Sequence, residues 1–204
     1  MESVSTLPAT KGRPREFDVE QALTAALRVF WKNGYEGASL AELTAEMGIT
    51  KPSMYAAFGN KEALFRKALD LYEREKLSYV RNALEAPTAR GVAERLLRGA
   101  AEMQTSSSDP KGCLGVIVSV ACGAEAEGIR QEVVARRASS DAAMLARFQR
   151  AKDEGDLPAS VEPTALMRYL SAIMQGMAVQ AGAGATRAEL DQLVDTTLAV
   201  WPGR

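Results

Sequence analysis

The stretch Ser39-Leu-Ala-Glu-Leu-Thr-Ala-Glu-Met-Gly-Ile-Thr-Lys-Pro-Ser-Met-Tyr-Ala-Ala-Phe58, continued by Gly59-Asn60-Lys61-Glu62, decides the fold of this chain. It reads as two very short helices parted at Gly48, then the start of a longer third. Helices this short are marginal alone and hold only when packed against a neighbour. Ser39 and Glu42 have the spacing of a capping box, in which hydroxyl and carboxylate satisfy backbone donors at the first helix start. Leu40, Leu43 and Met47 recur at i, i+3 and i+7 and predict one buried face. Gly48 stands where the chain must leave a helix, a position that favours positive φ. Ile49 is placed to plug the turn and Thr50 to cap the next helix. Pro52 is tolerated there, because first-turn amides have no intrahelical acceptor. Met54 and Phe58, at i and i+4, are expected to face inward, leaving Thr50, Lys51, Ser53, Tyr55 and Ala56 outward. A short helix, a tight glycine turn and a second short helix presenting small polar residues form the helix-turn-helix of DNA readers. The bland alternative is a helical hairpin with a solvated face.

Residues 16–76 resemble the amino-terminal domain of the TetR family of bacterial one-component repressors. The matching residues are Ala25-Ala26, Phe30, Asn33-Gly34-Tyr35, Ser39-Leu40, Leu43, Met47 to Lys51, Met54-Tyr55, Phe58 and Asn60 to Leu64. The resemblance implies an all-α homodimer with an operator-binding helix-turn-helix head and a helical, ligand-responsive, dimerising body. On that reading residues 1–15 are a flexible basic arm, 16–76 the DNA-binding domain with its helix-turn-helix at 39–58, and 77–204 the effector-binding and dimerisation domain. The last part matches only in helical layout.

Composition agrees with a helical globular protein: 47% of the 204 residues are apolar, 25% charged, and aromatics are few. No run of alternating β-branched residues predicts a sheet. A formal net charge of −1 argues against a protein that coats nucleic acid non-specifically. Basic residues are placed locally instead: Lys11, Arg13 and Arg15 before the first helix, Lys51 and Lys61 around the second short helix. Such a footprint suffices to position phosphates. Met1–Thr10 has no apolar core of a signal peptide, and the apolar run Gly115–Ala124 is too short to span a bilayer. Cys113 and Cys122 do not make a disulfide framework. Nine residues apart on one helix, they lie about 180° around its axis and cannot pair within it. The expectation is a cytoplasmic protein with no membrane partner.

Along the chain, a first helix is predicted from the Asp18 cap to Asn33, burying Leu23, Leu27 and Phe30 with Trp31 beside them. A fourth runs from Asn60 to Leu84, where Ala86-Pro87 breaks it, and a fifth from Thr88 to Gln104. Gly112 to Ala124 is apolar around most of its surface, as a central core helix would be. A long helix follows within Glu125–Glu154, with a possible break at Gly128, and another from Pro163 to Gln180. Thr186 and Glu189 form a second capping box that opens the last helix, ending at Val200.

The resemblance assigns roles where residues match. Ser39 and Thr50 are expected to bind phosphates through hydroxyls and helix-start amides, with Tyr55 and Lys61 also on the DNA backbone. Lys51, Pro52 and Ser53 are the candidate base-edge contacts, and Arg13 and Arg15 the minor-groove or phosphate contacts. Ala56 and Ala57 stand where many relatives carry larger side chains, which shifts part of the readout to DNA shape or to the arm. The dimer surface is expected from two apolar stripes, Leu166, Leu170, Ile173 and Met177, then Leu190, Leu193, Val194, Thr197 and Leu198. Effector candidates are Met103, Cys113, Ile117, Cys122, Phe148, Tyr169 and Met174, around an apolar small molecule. Each reads more readily as an ordinary core residue than as a ligand contact.

Three rival functions are weighed. An enzyme lacks support: the chain has no histidine, the commonest general base and zinc ligand, and no Gly-rich phosphate loop or nucleophile elbow. No metal or cofactor is expected. A thiol-based redox sensor would use Cys113 or Cys122, although apolar surroundings blunt thiol reactivity. A helical protein-interaction module without a DNA partner would bind without a steep salt dependence.

Overall fold

The computed structural model describes residues 17–121 and 126–203. The described residues form ten helices and no strand: α1 (Val19–Gly37), α2 (Leu40–Glu46), α3 (Lys51–Phe58), α4 (Lys61–Lys76), α5 (Ser78–Leu84), α6 (Ala89–Gln104), α7 (Leu114–Ala121), α8 (Glu127–Asp153), α9 (Pro163–Gly182) and α10 (Arg187–Ala199). The all-α fold is as expected. Local chemistry sets the boundaries. The Asp18 carboxylate accepts from the amides of Glu20 and Gln21, Thr50 from Ser53, Asn60 from Ala63, and Thr88 from Gly91. Thr186 and Glu189 make both limbs of their capping box.

Two apolar clusters organise the packing. In the first, α1 lies on α4 through aromatic edges: Phe30 meets Phe65 at 5.1 Å and Trp31 meets Tyr72 at 4.8 Å between centroids. Met54 and Phe58 of α3 and Leu43 of α2 are buried in the same cluster. So are Leu114 and Val118 of α7, and Ile129 and Val133 of α8. The second cluster joins α6, α9 and α10 with the carboxy-terminal half of α8.

Three sequence expectations change. The helix predicted from Asn60 to Leu84 is interrupted at Leu77 (φ −104°, ψ 9°), where neither Gly nor Pro marks a break. The cause is tertiary: the Tyr79 ring lies against the bare backbone of Gly99, so α5 must leave the axis of α4 to pack on α6. α1 runs four residues beyond Asn33, to Gly37, across a kink at Gly34, whose φ of +72° only glycine adopts cheaply. The long helix expected within Glu125–Glu154 starts at Glu127, so Gly128, considered as a break, stands in the first turn of α8.

Candidate nucleic-acid interface and interior cavity

The helix-turn-helix forms as its sequence dictates. Gly48 turns the chain at φ +66°, with Met47 and Ile49 packed on the first cluster below it. The Ser39 hydroxyl accepts from the Glu42 amide at 3.1 Å, but the predicted second limb of that box is missing. The Glu42 carboxylate instead accepts from Asn33 Nδ2 at 2.7 Å and ties α2 to α1. A contact between elements has outcompeted a local one. Met54 and Phe58 point inward, with relative exposures of 0% and 3%. Their burial fixes the rotation of α3 and leaves Lys51, Pro52 and Tyr55 exposed and Ser53 half-buried. Thr50 Oγ1 caps the helix through the Ser53 amide and lies 3.0 Å from Ser53 Oγ. The start of α3 therefore presents two hydroxyls beside a lysine and a proline.

Lys61 sits at the first position of α4, half-buried, with its ammonium 4.6 Å from the centre of the Tyr35 ring. Burial lowers its pKa, opposed by the nearby Glu36 carboxylate. The charge expected on a phosphate is held against an aromatic face. Arg13 and Arg15, the arm candidates, lie outside the described residues.

A cavity of about 610 Å³ lies on the seam between the two clusters, a size suited to small-molecule sites. Leu69, Tyr72 and Val133 from the first cluster face Leu96 and Met144 from the second. Of the effector candidates, Met103, Cys113 and Met174 line it. Ile117 packs on the first cluster, Phe148 is fully buried against Trp201, and Tyr169 stands on the surface. These three lie off this cavity, where their apolar character serves packing or an outer face. Cys122 lies outside the described residues. Sequence reading missed Tyr72, Tyr79, Gln104 and Arg137, all in the wall. Gln104 carried a signal, a polar residue continuing the buried line of Leu97 and Ala101 on α6. The Tyr72 hydroxyl donates to Cys113 Sγ at 3.3 Å, joining α4 to the entry of α7. Burial, with Cys113 beside them, raises the pKa of both Tyr72 and Tyr79 and keeps the phenols protonated.

Beside the cavity, Arg136 of α8 binds Asp70 and Glu73 of α4 at 2.6 and 3.0 Å and Glu132 at 2.7 Å. A wall of the cavity is thus clamped to the helix that follows the helix-turn-helix.

The stripes predicted to meet a partner subunit are also corrected. Leu166, Leu170, Met177, Leu190, Val194, Thr197 and Leu198 are buried within their own subunit; Ile173 and Leu193 touch the same core but are only half-buried, so the correction does not extend to them. The most regular apolar stripe on each helix has been used for the fold itself.

A helix-turn-helix head on an α-helical body with a half-open cavity defines the class of a one-component transcription regulator. Comparison with known proteins gives the family. Residues 22–68 match the bacterial regulatory proteins of the tetR family, and residues 91–197 the tetracyclin repressor-like carboxy-terminal domain. The chain belongs to the TetR family. The HTH-type transcriptional repressor ComR of Escherichia coli (strain K12) is 30% identical over 203 residues, 98% of this chain and 97% of ComR. Among solved structures, a cysteine-substituted TetR family regulator, CifR, complexed with 26 bp double-strand operator DNA, is 41% identical with a TM-score of 0.87. The match covers 93% of this chain and 100% of that one. A TetR-type regulator from Rhodococcus sp. RHA1 is 38% identical with a TM-score of 0.63, covering 90% and 98% of the two chains. No helix among the described residues is long and apolar enough to cross a membrane.

Proposed function

We propose that this chain is a cytoplasmic repressor that binds a near-palindromic operator as a homodimer and is released by a small, largely apolar molecule in the seam cavity. The carrying observation is the outward face of α3, where Lys51, Pro52 and Tyr55 stand exposed over a helix anchored by Met54 and Phe58. The operator complex of CifR and the repressor name of ComR support it. In this reading residues 16–76 are the head and 77–204 the body. Ser39 and Thr50 hydroxyls hold phosphates with Tyr55 and Lys61 on the DNA backbone, Lys51, Pro52 and Ser53 reach base edges, and Arg13 and Arg15 extend contact beyond the head.

With the inner stripes occupied, the dimer surface falls to the outward flank of the same helices. Tyr169, Ala172, Ile173, Gly176 and Val179 recur on α9 at i, i+3, i+4, i+7 and i+10; Leu193, Thr196 and Val200 do so at the end of α10. Val179 and Val200 are 62% and 68% exposed, unusual for valines with no partner to cover them. Two such flanks build a four-helix bundle about a two-fold axis. The heads then address half-sites roughly 34–36 Å apart, or a multiple of that turn. Release is a population shift, in which the ligand favours a head spacing that no longer fits successive grooves.

The test is selection from a random DNA library at moderate salt, with Lys51→Ala as control. Enrichment of a near-palindrome that Lys51→Ala fails to retain is the expected result. Binding without sequence enrichment and without salt dependence would replace the operator reading with a protein-interaction module.

A second reading keeps the DNA and replaces the ligand by oxidation of Cys113, whose sulfur lines the cavity and accepts from Tyr72. Oxidant-dependent release from DNA that disappears in Cys113→Ser would favour it.

A further inference from the structure

The wall of the seam cavity contains polar groups whose hydrogen-bonding capacity the protein leaves unfilled. Gln104 is 3% exposed. Its Nε2 donates to the Met174 carbonyl at 3.2 Å, while Oε1 has no partner among the described residues and is itself closed to solvent, so a ligand donor meets it only when the amide turns toward the cavity. A buried acceptor left open costs free energy that a ligand donor recovers. Arg137 donates one terminal nitrogen to the Gly115 carbonyl at 3.0 Å and to Ser119 Oγ at 3.3 Å. No carboxylate among the described residues lies within 4.0 Å of it, unlike its neighbour Arg136 with Asp70, Glu73 and Glu132.

The carboxylates of the wall are already engaged: Glu73 by Arg136 and Asp141 by the Ser171 hydroxyl at 2.9 Å. Two phenols add donors. Tyr72 donates only to sulfur, at 3.3 and 3.8 Å, while its oxygen accepts from the Leu114 backbone, and Tyr79 makes no hydrogen bond among the described residues. Sulfur is a weak acceptor. The unmatched capacity of the cavity is therefore one cationic fork, two neutral O–H donors and one amide acceptor, set in apolar walls. A guanidinium fork is shaped for a carboxylate, which it can hold through two parallel hydrogen bonds.

We propose that the cavity takes an amphipathic organic anion, with an apolar body, a carboxylate received by Arg137, and a hydroxyl or N–H that donates to Gln104 Oε1. This rests on the reading of the cavity as the effector site and adds the effector's chemistry. It also gives the ligand a grip on α7, because the guanidinium it engages is the one bonded to Gly115 and Ser119 around that helix. Leu114 and Val118 of α7 lie in the core of the head.

The experiment is calorimetric titration of the full chain with 10-hydroxydecanoate, its methyl ester, decanoate and decanol. The hydroxy acid is expected to bind at least about tenfold tighter than the ester, as a charge-assisted bond requires. That preference should vanish in Arg137→Gln and persist in Arg137→Lys, with thermal melts confirming that both fold. The advantage of hydroxydecanoate over decanoate should vanish in Gln104→Leu. Equal binding of acid and ester, or a preference that survives Arg137→Gln, would overturn the anion assignment and leave the cavity as effector site. Failure of all four probes, decanol included, would overturn the cavity reading and this proposal with it.

Discussion

Neighbouring residues on α3 should fail in opposite ways when truncated. Met54 has no exposed surface, and Ala in its place lacks Cγ, Sδ and Cε. At about 0.8 kcal/mol for each buried methylene-sized group, the transfer loss is about 2.4 kcal/mol. The cavity left behind raises the expected cost of Met54→Ala to about 3 kcal/mol, within the range of such core truncations. For a chain of this size that lowers Tm by roughly 6–12 °C. Tyr55 is 48% exposed, so Tyr55→Ala should stay within about 0.5 kcal/mol of the parent while weakening operator binding. The assay pairs thermal unfolding with operator titration at 10 °C, where Met54→Ala remains folded. Amide exchange should locate the loss of protection in α3, because a helix this short depends on its buried anchors. Equal melting temperatures for the two variants would refute the assigned rotation of α3. So would a Tyr55→Ala variant that unfolds early and binds DNA as well as the parent.

Gly48→Ala should cost about 1–2 kcal/mol from the left-handed backbone alone, since its Cβ would meet nothing within 4 Å. Gly48→Asn should recover part of this in the same denaturant titration, and a clash-sized loss with Ala would contradict the geometry. A Cβ at Gly99 would strike the Tyr79 ring, so Gly99→Ala should displace that ring, cost about 1–3 kcal/mol and alter ligand affinity measured by calorimetry. The pH dependence follows from three depressed carboxylates, one of them Glu189, lowered by hydrogen bonds from the Thr186 backbone and side chain; the other two are tied to arginines. Hydrogen bonds from Arg130 and Gln131 hold Glu127 at about 2. Burial opposes ionisation of Glu132, but hydrogen bonds from Arg136 and Arg66 outweigh it and hold it low. All three contribute stability above the ordinary value of 4.5 that is lost as pH falls through the folded value. The urea midpoint should be steady near neutrality and decline below about pH 5, and less steeply in Glu132→Gln.

Much of the head was legible because its determinants are local. Thr50, Asn60 and Gly48 act within a turn of where they stand, so spacing reveals them. The errors arise where a distant element decides. Glu42 was expected to close its own box but found Asn33, and α4 was expected to continue but yielded at Leu77 to the fit of Tyr79 on Gly99. The dimer stripes failed for a related reason: the strongest 3.6-residue period marks the deepest burial, and in a single subunit that is the core. The cavity was least legible. Gln104 and Arg137 gain meaning only from partners they lack, and a missing partner has no signature in sequence.

Leu114, Val118, Ile129 and Val133, contributed by α7 and α8, are buried in the same cluster that holds Phe30, Trp31 and Tyr72 of the head. A head excised at residue 76 would leave the surfaces of α1 and α4 that these side chains cover open to water, and would be expected to associate or unfold rather than read DNA. Exchanging heads between regulators of this kind is therefore not a cut at one linker. A working chimera must carry the matching faces of α7 and α8 with it, so the reading module is discontinuous along the chain.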